Sequence, residues 1–344
     1  MTNEENKLMQ KKTNNGKSVN CIDCGGCNIC TAFIRSPKDN NITVPVNKSI
    51  DPCDYLYIIL RCKDCGSIFL HPYYFEESFG VYNDERYFTG YFPNNIHTGG
   101  GPSLTPPTLS FYTKWRNKRK ACLLLKLAGF FRQSNIRVID IGCAKGELVQ
   151  AFVDCGCDAY GVDVSEQVVL EAQKKGLNCY HGHFENSPFP NEYFDLIVSI
   201  EVFEHIALLE TIINKIKQTL KPNGVFIIQV PNDIEGYRHL FFRKIWWMIP
   251  PMHIRYFTTK SVKNIFSQYG LKVSFIRTTG SFDDDIGGII SWRLKKLGIR
   301  KIQNLLIFKM LIKAMKVLFL PIDILLNVSS RHSEMIVVMR KDNV

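Results

Sequence analysis

Short apolar runs alternate with segments of helical periodicity from residue 136 onward, and this alternation leaves few folds open to the chain. Four runs are apolar almost throughout, as expected of parallel strands buried on both faces, and they cover residues 136–141, 159–164, 194–200 and 225–230. The segments between them are predicted helices, one opening at Gly146 and another covering about residues 207–220. Such a βαβ series predicts a doubly wound α/β sheet whose ligand lies at the carboxyl ends of the strands.

The loop after the first run carries an acid and two glycines. Asp140 precedes Gly142, and Gly146 opens the next helix. The G-x-G-x-x-G spacing that brings backbone amides against a pyrophosphate is absent from this loop. A carboxylate at the strand end would repel a phosphate but attract a cationic amino group, and S-adenosylmethionine carries such an ammonium and no phosphate. The loop therefore favours S-adenosylmethionine as the cofactor, bound by these three residues.

The second strand also ends in an acid, Asp163. It follows Asp140 at about the spacing, roughly 20 residues, at which α/β nucleotide folds hold ribose hydroxyls with a carboxylate. We predict that Asp163 binds the ribose of the cofactor.

Taken in this order, the motifs of residues 136–232 resemble those of the class I S-adenosylmethionine-dependent methyltransferases. Asp140, Gly142 and Gly146 represent the family's acidic-glycine motif, with Ala144 at the position of its usual middle glycine, and Asp163 represents the ribose acid. The resemblance implies a Rossmann-like, seven-stranded and mostly parallel sheet. Residues 271–276 and 334–340 would be its last two strands, the final one antiparallel.

The resemblance also implies which residues surround the adenine and the methyl acceptor. Many family members have an Asp after the third strand that meets the adenine amino group. This chain has Phe184 there, between His183 and Glu185, so backbone groups near Phe184 are expected to hold the base. Methyl transfer needs alignment of the acceptor, and a base only where the acceptor must lose a proton. Glu201 is expected to face the pocket, and His205 and His253 are the candidate bases. For His205 a packing role explains the sequence equally well.

Seven of the 12 cysteines fall between Cys21 and Cys65, and in a chain without a secretion signal such crowding predicts metal binding. Cys62 and Cys65, followed by Gly66, form a typical metal knuckle that needs a second pair to complete a tetrahedral zinc site. The run of cysteines 21–30 lacks the three-residue gap and the Cys-Pro of a ferredoxin run, which favours zinc over an iron-sulfur cluster.

Two upstream pairs are candidates for completing the zinc site. Cys27 and Cys30 leave the shorter loop to Cys62, and we prefer them on that ground. Cys21 and Cys24 are the alternative pair, with the better knuckle glycine in Gly25. Some bacterial methyltransferases of sugar and cell-envelope biosynthesis carry a similar cysteine-rich front.

These features predict a division of the chain into four parts. Residues 1–20 form a disordered tail, residues 21–75 a small zinc-ribbon-like module, and residues 76–125 a connecting segment. Residues 126–344 form the methyltransferase domain, with acceptor-side insertions at 231–257 and 280–331.

The charge and the apolar stretches bear on partners and location. The net charge of +11 suggests an acidic partner: nucleic acid, a nucleotide-linked substrate or an anionic membrane surface. The first twenty residues hold no apolar signal, which favours a cytoplasmic protein. The apolar stretches near the C-terminus are broken by lysines, so no transmembrane segment is expected.

Residues 301–320 are predicted to form a helix that Pro321 ends. This helix is expected either to pack as a cap on the catalytic domain or to make a weak, salt-sensitive contact with anionic membranes.

The favoured function is O- or C-methylation of a small polar metabolite such as a sugar or glycan precursor. RNA methylation is the first alternative, because the chain combines a zinc module with basic runs. A zinc-dependent binding protein on an inactive methyltransferase fold is the second alternative, and the intact Asp140, Gly142, Gly146 and Asp163 argue against it.

Overall fold

The computed structural model describes residues 20–35, 57–71, 111–232, 234–236, 253–280, 318–326 and 328–341. Three predicted parts lie outside these ranges: the tail up to residue 19, the connecting segment from 76 to 110, and residues 301–317 of the predicted lysine-bearing helix.

Residues 318–326 are helical and include Pro321, so the prediction that this proline ends the helix is wrong. Proline disturbs the turn that precedes it, and the residues after it can continue as helix.

The cysteine-rich module contains a small antiparallel sheet of three strands in the order β1-β2-β3. Its strands are Ile29–Arg35 (β1), Tyr57–Cys62 (β2) and Ile68–His71 (β3). The module has a small buried cluster of its own, which includes Leu60 and Phe69 together with three of the cysteines. So few apolar side chains give little burial, which is why a segment of this size commonly needs a metal to fold.

The larger unit is a seven-stranded sheet with helices between its strands, which confirms the predicted fold. Its elements in chain order are Phe111–Ala128 (α1), Arg137–Ile141 (β4), Glu147–Val153 (α2), Asp158–Asp163 (β5), Glu166–Lys174 (α3), Asn178–His181 (β6), Phe194–Ile200 (β7), Leu209–Thr219 (α4), Leu220–Pro231 (β8), Thr259–Gln268 (α5), Leu271–Thr279 (β9) and Glu334–Lys341 (β10). The strand order is β6-β5-β4-β7-β8-β10-β9, and β10 runs antiparallel to both of its neighbours.

Apolar side chains cover both faces of this sheet. Along β4, Val138 belongs to the core under α1, α2 and α3, whereas Ile139 belongs to the core under α4 and α5. Successive residues of a strand point to opposite faces, so a strand buried on both sides must be apolar at nearly every position. In α2, Val149 and Phe152 are fully buried against the sheet, whereas Val153 is 44% exposed.

Helix α1 extends across the boundary that the sequence predicts at residue 125. Its apolar residues Ala121, Leu124 and Ala128 are fully or almost fully buried in the core that they share with β4 and β7. These contacts join α1 to the seven-stranded unit. Among the described residues, no helix is both long enough and apolar enough to cross a membrane.

The strand order defines where a ligand would bind. The chain passes from β4 to β5 and β6 on one side, and then returns to place β7 on the other side of β4. Open α/β sheets bind ligands outside the carboxyl ends of the strands at such a switch point. The loops that follow β4, β5 and β7 meet there.

Candidate functional site

The loop after β4 folds back over the end of β5. The amides of Gly142 and Cys143 both donate to the carbonyl of Val162, at 2.8 and 3.1 Å. Gly142 has a positive φ of 80°, and a Cβ at this position would lie 2.3 Å from the Cγ2 of Val202 in the loop after β7. The glycine is therefore required for the conformation and for the contact between the two loops.

Ala144 takes the same left-handed region of backbone conformation, with φ 45°. An alanine there carries a strain on the order of 1 kcal/mol that a glycine would avoid. This explains why the related motif usually has glycine at its middle position. The loop accommodates the alanine because the Ala144 amide has a specific partner, which lies at the end of β5.

That partner is Asp163, one of the residues predicted to bind the cofactor. Its Oδ2 accepts a hydrogen bond from the Ala144 amide and its Oδ1 accepts one from the Ser165 amide, both at 2.9 Å. The carboxylate thus joins the glycine loop to the start of α3. Burial raises the pKa of Asp163 above its usual value. Each oxygen keeps further acceptor capacity, so a ligand hydroxyl can be accepted as well.

Asp140 lies one residue before the end of β4 and is only 4% exposed. Among the described residues, its Oδ1 has no hydrogen-bond partner. The pKa of Asp140 is raised to about 8, chiefly by burial; Lys120 of α1 opposes the shift, and the nearby Asp163 and Glu147 add to it. The carboxyl is therefore largely protonated at neutral pH unless a cation binds beside it.

The predicted acceptor-side residues follow β7. Glu201 has φ 56°, a strained conformation for a residue that is not glycine. Glu204 is buried, and its Oε1 lies 3.5 Å from the Nε2 of His205. The rings of His205 and His253 lie edge to face with centroids 4.9 Å apart. The structure thus brings the two candidate bases together, and the three side chains of Glu204, His205 and His253 also offer potential ligand atoms within 4.8 Å of one another.

Phe184 lies in a single helical turn of residues 184–186 after β6, and its side chain is 2% exposed within the core. Its carbonyl accepts hydrogen bonds from the amide and the hydroxyl of Ser187, at 3.0 and 2.6 Å. Any contact from Phe184 to a bound base would therefore come from its backbone.

Four cysteines form a compact cluster in the small module. Cys21, Cys24, Cys62 and Cys65 offer sulfur atoms that all lie within 4.8 Å of one another. The Sγ atoms of Cys21 and Cys65 are 3.6 Å apart, as are those of Cys24 and Cys62. Four sulfurs at about 2.3 Å from a tetrahedral zinc ion would be separated by about 3.8 Å. The cluster therefore has the dimensions of a four-thiolate zinc site.

This arrangement corrects the preference for Cys27 and Cys30, because the alternative upstream pair joins Cys62 and Cys65. The reason lies in the knuckle glycines. Gly25 and Gly66 follow the two pairs with φ 71° and 81°, which turns the next amide toward a sulfur. The amide of Gly26 lies 3.4 Å from the Sγ of Cys24. Cys27 lies between this turn and β1, and Cys30 is the second residue of β1. The geometry of the turn therefore decides which upstream pair joins the cluster, and the shorter loop of Cys27 and Cys30 does not.

The sulfurs receive backbone donors from both knuckles. The Asp23 amide is 3.5 Å from the Sγ of Cys21, and the Ser67 amide is 3.4 Å from the Sγ of Cys65. Burial raises the pKa of Cys21 to about 11 and that of Cys65 still further. Without a cation these thiols are protonated at neutral pH, and a metal would have to displace the protons.

Sequence reasoning missed one pair of residues beside these sites. Asp23 and Arg255 form a buried ion pair with 2.8 Å between Oδ1 and Nε. Asp23 lies between Cys21 and Cys24 and Arg255 lies two residues after His253, but neither occupies a defining position of a motif, and they are far apart in the sequence. No local signal could have found them.

Comparison with known proteins agrees with this geometry. A family model described as a methyltransferase domain matches residues 112–274. A ubiquinone biosynthesis O-methyltransferase of Bradyrhizobium sp. (strain ORS 278) is 29% identical over 107 residues, which cover 29% of this chain and 41% of that protein. A sterol 24-C-methyltransferase of Gibberella zeae is 32% identical over 100 residues, which cover 26% of each protein. The matched part thus spans about two fifths or less of these curated relatives.

Solved structures also resemble the chain. The crystal structure of an S-adenosylmethionine-dependent methyltransferase from Archaeoglobus fulgidus covers 67% of this chain and 100% of its own, with a TM-score of 0.41 and 18% identity. The family match and the strand order lead to one conclusion. The chain carries a methyltransferase domain, and its fold is that of the class I S-adenosylmethionine-dependent methyltransferases.

Proposed function

We propose that this protein transfers a methyl group from S-adenosylmethionine to an oxygen or carbon atom of a small polar metabolite, such as a sugar or glycan precursor. The observation that carries the proposal is the buried Asp140 carboxyl, whose Oδ1 has no partner among the described residues. A buried polar atom without a partner costs about 1–3 kcal/mol. The ammonium of the cofactor would satisfy it and stabilise the ionised carboxylate.

The remaining cofactor contacts come from the loops at the switch point. Asp163 would accept the ribose hydroxyls while it holds the glycine loop through the Ala144 amide. Gly142 and Gly146 would shape the loop that receives the cofactor, because both have positive φ and a Cβ would lie 2.3 Å from the Cγ2 of Val202 and 2.6 Å from the Cδ1 of Leu177, respectively. When bound, S-adenosylmethionine supplies a methyl group on a positively charged sulfur.

The acceptor side would be formed by the loop after β7 and the segment that begins at His253. His205 and His253 lie beside each other, so either imidazole is placed to take a proton from an acceptor hydroxyl. Glu201, at the end of β7, would line the same pocket. The names of the similar curated proteins, an O-methyltransferase of ubiquinone biosynthesis and a sterol C-methyltransferase, support a small-molecule acceptor.

We test the proposed function with cell extract incubated with the protein and methyl-labelled S-adenosylmethionine. Label in a low-molecular-weight compound, identified by mass spectrometry, supports the proposal. Label in the RNA fraction would favour RNA methylation instead. Cofactor binding without any labelled product would favour a binding protein on an inactive methyltransferase fold.

The cysteine cluster supports a second part of the proposal, a structural zinc ion held by Cys21, Cys24, Cys62 and Cys65. Four thiolates in tetrahedral arrangement match the ligand preference of zinc. With all four positions taken by protein, no site stays open for a reacting water. The ion would stabilise the module, whose apolar core is small.

The first prediction concerns Asp163. Replacing Asp163 by Ala should weaken S-adenosylmethionine binding by roughly 10- to 150-fold, because hydrogen bonds to a charged group contribute about 1.5–3 kcal/mol. Calorimetric titration measures the effect. The matched control is Asp158→Ala, which removes an acid from the opposite, exposed end of the same strand. Equal losses in the two variants, or no loss in Asp163→Ala, would remove Asp163 from the cofactor site.

The second prediction is that cofactor binding at pH 7 releases close to one proton, because Asp140 holds a proton in the free protein, with a pKa of about 8, and must ionise beside the ammonium. Titration calorimetry in buffers of different ionisation enthalpy measures the release. Asp140→Asn should bind more weakly and release no proton. Binding by the wild-type protein without proton release would contradict the assigned ion pair.

The same carboxyl sets the pH dependence of the ligand-free protein. Its pKa is higher in the folded state than in the unfolded chain, so its contribution to stability is complete below the unfolded value and declines as the pH rises through about 8. The thermal stability of Asp140→Asn relative to wild type should therefore increase between about pH 4 and pH 8. If the difference in thermal stability between the two proteins stays constant over this range, Asp140 does not have the raised pKa of a buried carboxyl.

The fourth prediction is one zinc ion per chain. Elemental analysis should find it in wild type and in the Cys27→Ser/Cys30→Ser double variant. The Cys21→Ser/Cys24→Ser double variant should lose the ion and unfold at a lower temperature. Retention of zinc by the second variant with loss from the first, or iron-sulfur absorption bands, would overturn this assignment.

A further inference from the structure

Arg255 is a cation buried at the contact between the cysteine module and the methyltransferase domain. Its Nε donates to the Oδ1 of Asp23 at 2.8 Å, and the two side chains are only 1% and 0% exposed. A buried charge is tolerated only where a partner neutralises it and its remaining donors are used. The question is where the other donors of the guanidinium go.

The rest of the guanidinium binds the loop after β7. Arg255 donates from Nη1 to the carbonyl of Ile206 and from Nη2 to the carbonyl of Ala207, the latter at 2.7 Å. The amides of Ile254 and Arg255 both donate to the carbonyl of Glu204, at 2.8 and 3.1 Å. The segment 254–255 thus holds the backbone on both sides of His205, the residue whose ring contacts His253.

At the other end, Asp23 is fixed by the two knuckles of the cysteine cluster. It lies between Cys21 and Cys24, and its amide faces the Sγ of Cys21 at 3.5 Å. Its Oδ2 accepts the hydroxyl of Ser67, whose amide faces the Sγ of Cys65 at 3.4 Å. The position of the Asp23 carboxylate therefore depends on both cysteine pairs being drawn together.

The backbone reinforces the same connection. The Leu70 amide donates to the carbonyl of Ile254, and the Tyr256 amide donates to the carbonyl of Ile68, both at 2.9 Å. Phe69 of β3 and Arg255 are thereby paired in antiparallel fashion. The small sheet of the module extends onto the segment that begins with His253.

We propose that Arg255 is a positioning residue through which the metal-loaded cysteine module sets the arrangement of His205 and His253 on the acceptor side. The inference rests on the proposed zinc site. On loss of the ion the knuckles separate, Asp23 leaves the guanidinium, and the 204–207 loop loses its support. In the metal-loaded protein the module therefore forms part of the wall of the acceptor site. Metal loading controls the structure of that wall, whereas the cofactor residues on β4 and β5 stay in place with or without the ion.

The test is hydrogen exchange followed by mass spectrometry on the full-length protein. Peptides covering residues 203–208 and 253–258 should exchange at least about tenfold faster after zinc is removed by a chelator, because local opening sets their exchange rate. Zinc-loaded Arg255→Lys should show the same acceleration while keeping its zinc and its affinity for S-adenosylmethionine. Asp23→Asn keeps the size of the side chain and one hydrogen-bond acceptor, so hydrogen exchange in the same peptides should accelerate less than in Arg255→Lys. This variant provides the test if Arg255→Lys does not fold.

The matched control is Asn264→Ala. Asn264 of α5 donates to the carbonyl of Cys65 at 2.8 Å, so it also joins the module to the domain, but this hydrogen bond does not involve the 204–207 loop. This variant should leave exchange in residues 203–208 unchanged. Equal acceleration in the control, or none in both Arg255→Lys and Asp23→Asn, overturns the proposal. The readout needs neither cofactor nor acceptor, so a failure of the proposed methyl transfer would be seen separately in the labelling experiment.

Discussion

Strand β4 is held in parallel register by β5 on one side and β7 on the other, and the candidate residues are placed by that arrangement. Asp140 pairs with Gly161 and with Val198, so the ends of the three strands come level at one edge. A Cβ on Gly161 would lie 2.6 Å from the Sγ of Cys143. The absence of a side chain there lets the loop after β4 fold back onto β5, where the carboxylate of Asp163 holds it.

Much of this could be predicted from the sequence because local rules govern it. Strands buried on both faces must be apolar at nearly every position, and the turns between them use glycine where φ is positive. The seven-stranded, mostly parallel sheet and the antiparallel last strand followed from the family resemblance. What remained hidden was how the parts support each other. Asp163 was predicted to bind ribose, whereas its hydrogen bonds to the amides of Ala144 and Ser165 depend on the folded loop.

The misplaced cysteine pair and the missed ion pair have different physical causes. Loop length suggested Cys27 and Cys30, but the choice was decided by the left-handed turns at Gly25 and Gly66, which aim amides at the sulfurs. The partner of Asp23 is the guanidinium of Arg255, 232 residues away. Periodicity and spacing report on neighbours along the chain, whereas an ion pair of this kind is settled only when two separate units pack together. It is also a contact that joins the two candidate sites.

The position of β10 has a consequence for the order in which this chain can fold. It is the last described strand, yet it lies between β8 and β9 and pairs with both. During synthesis these two strands leave the ribosome with edges that lack their native partner strand until residues 334–341 follow. Unpaired strand edges are sites of intermolecular association. The nascent chain is therefore exposed to intermolecular association at these edges until β10 is inserted between them.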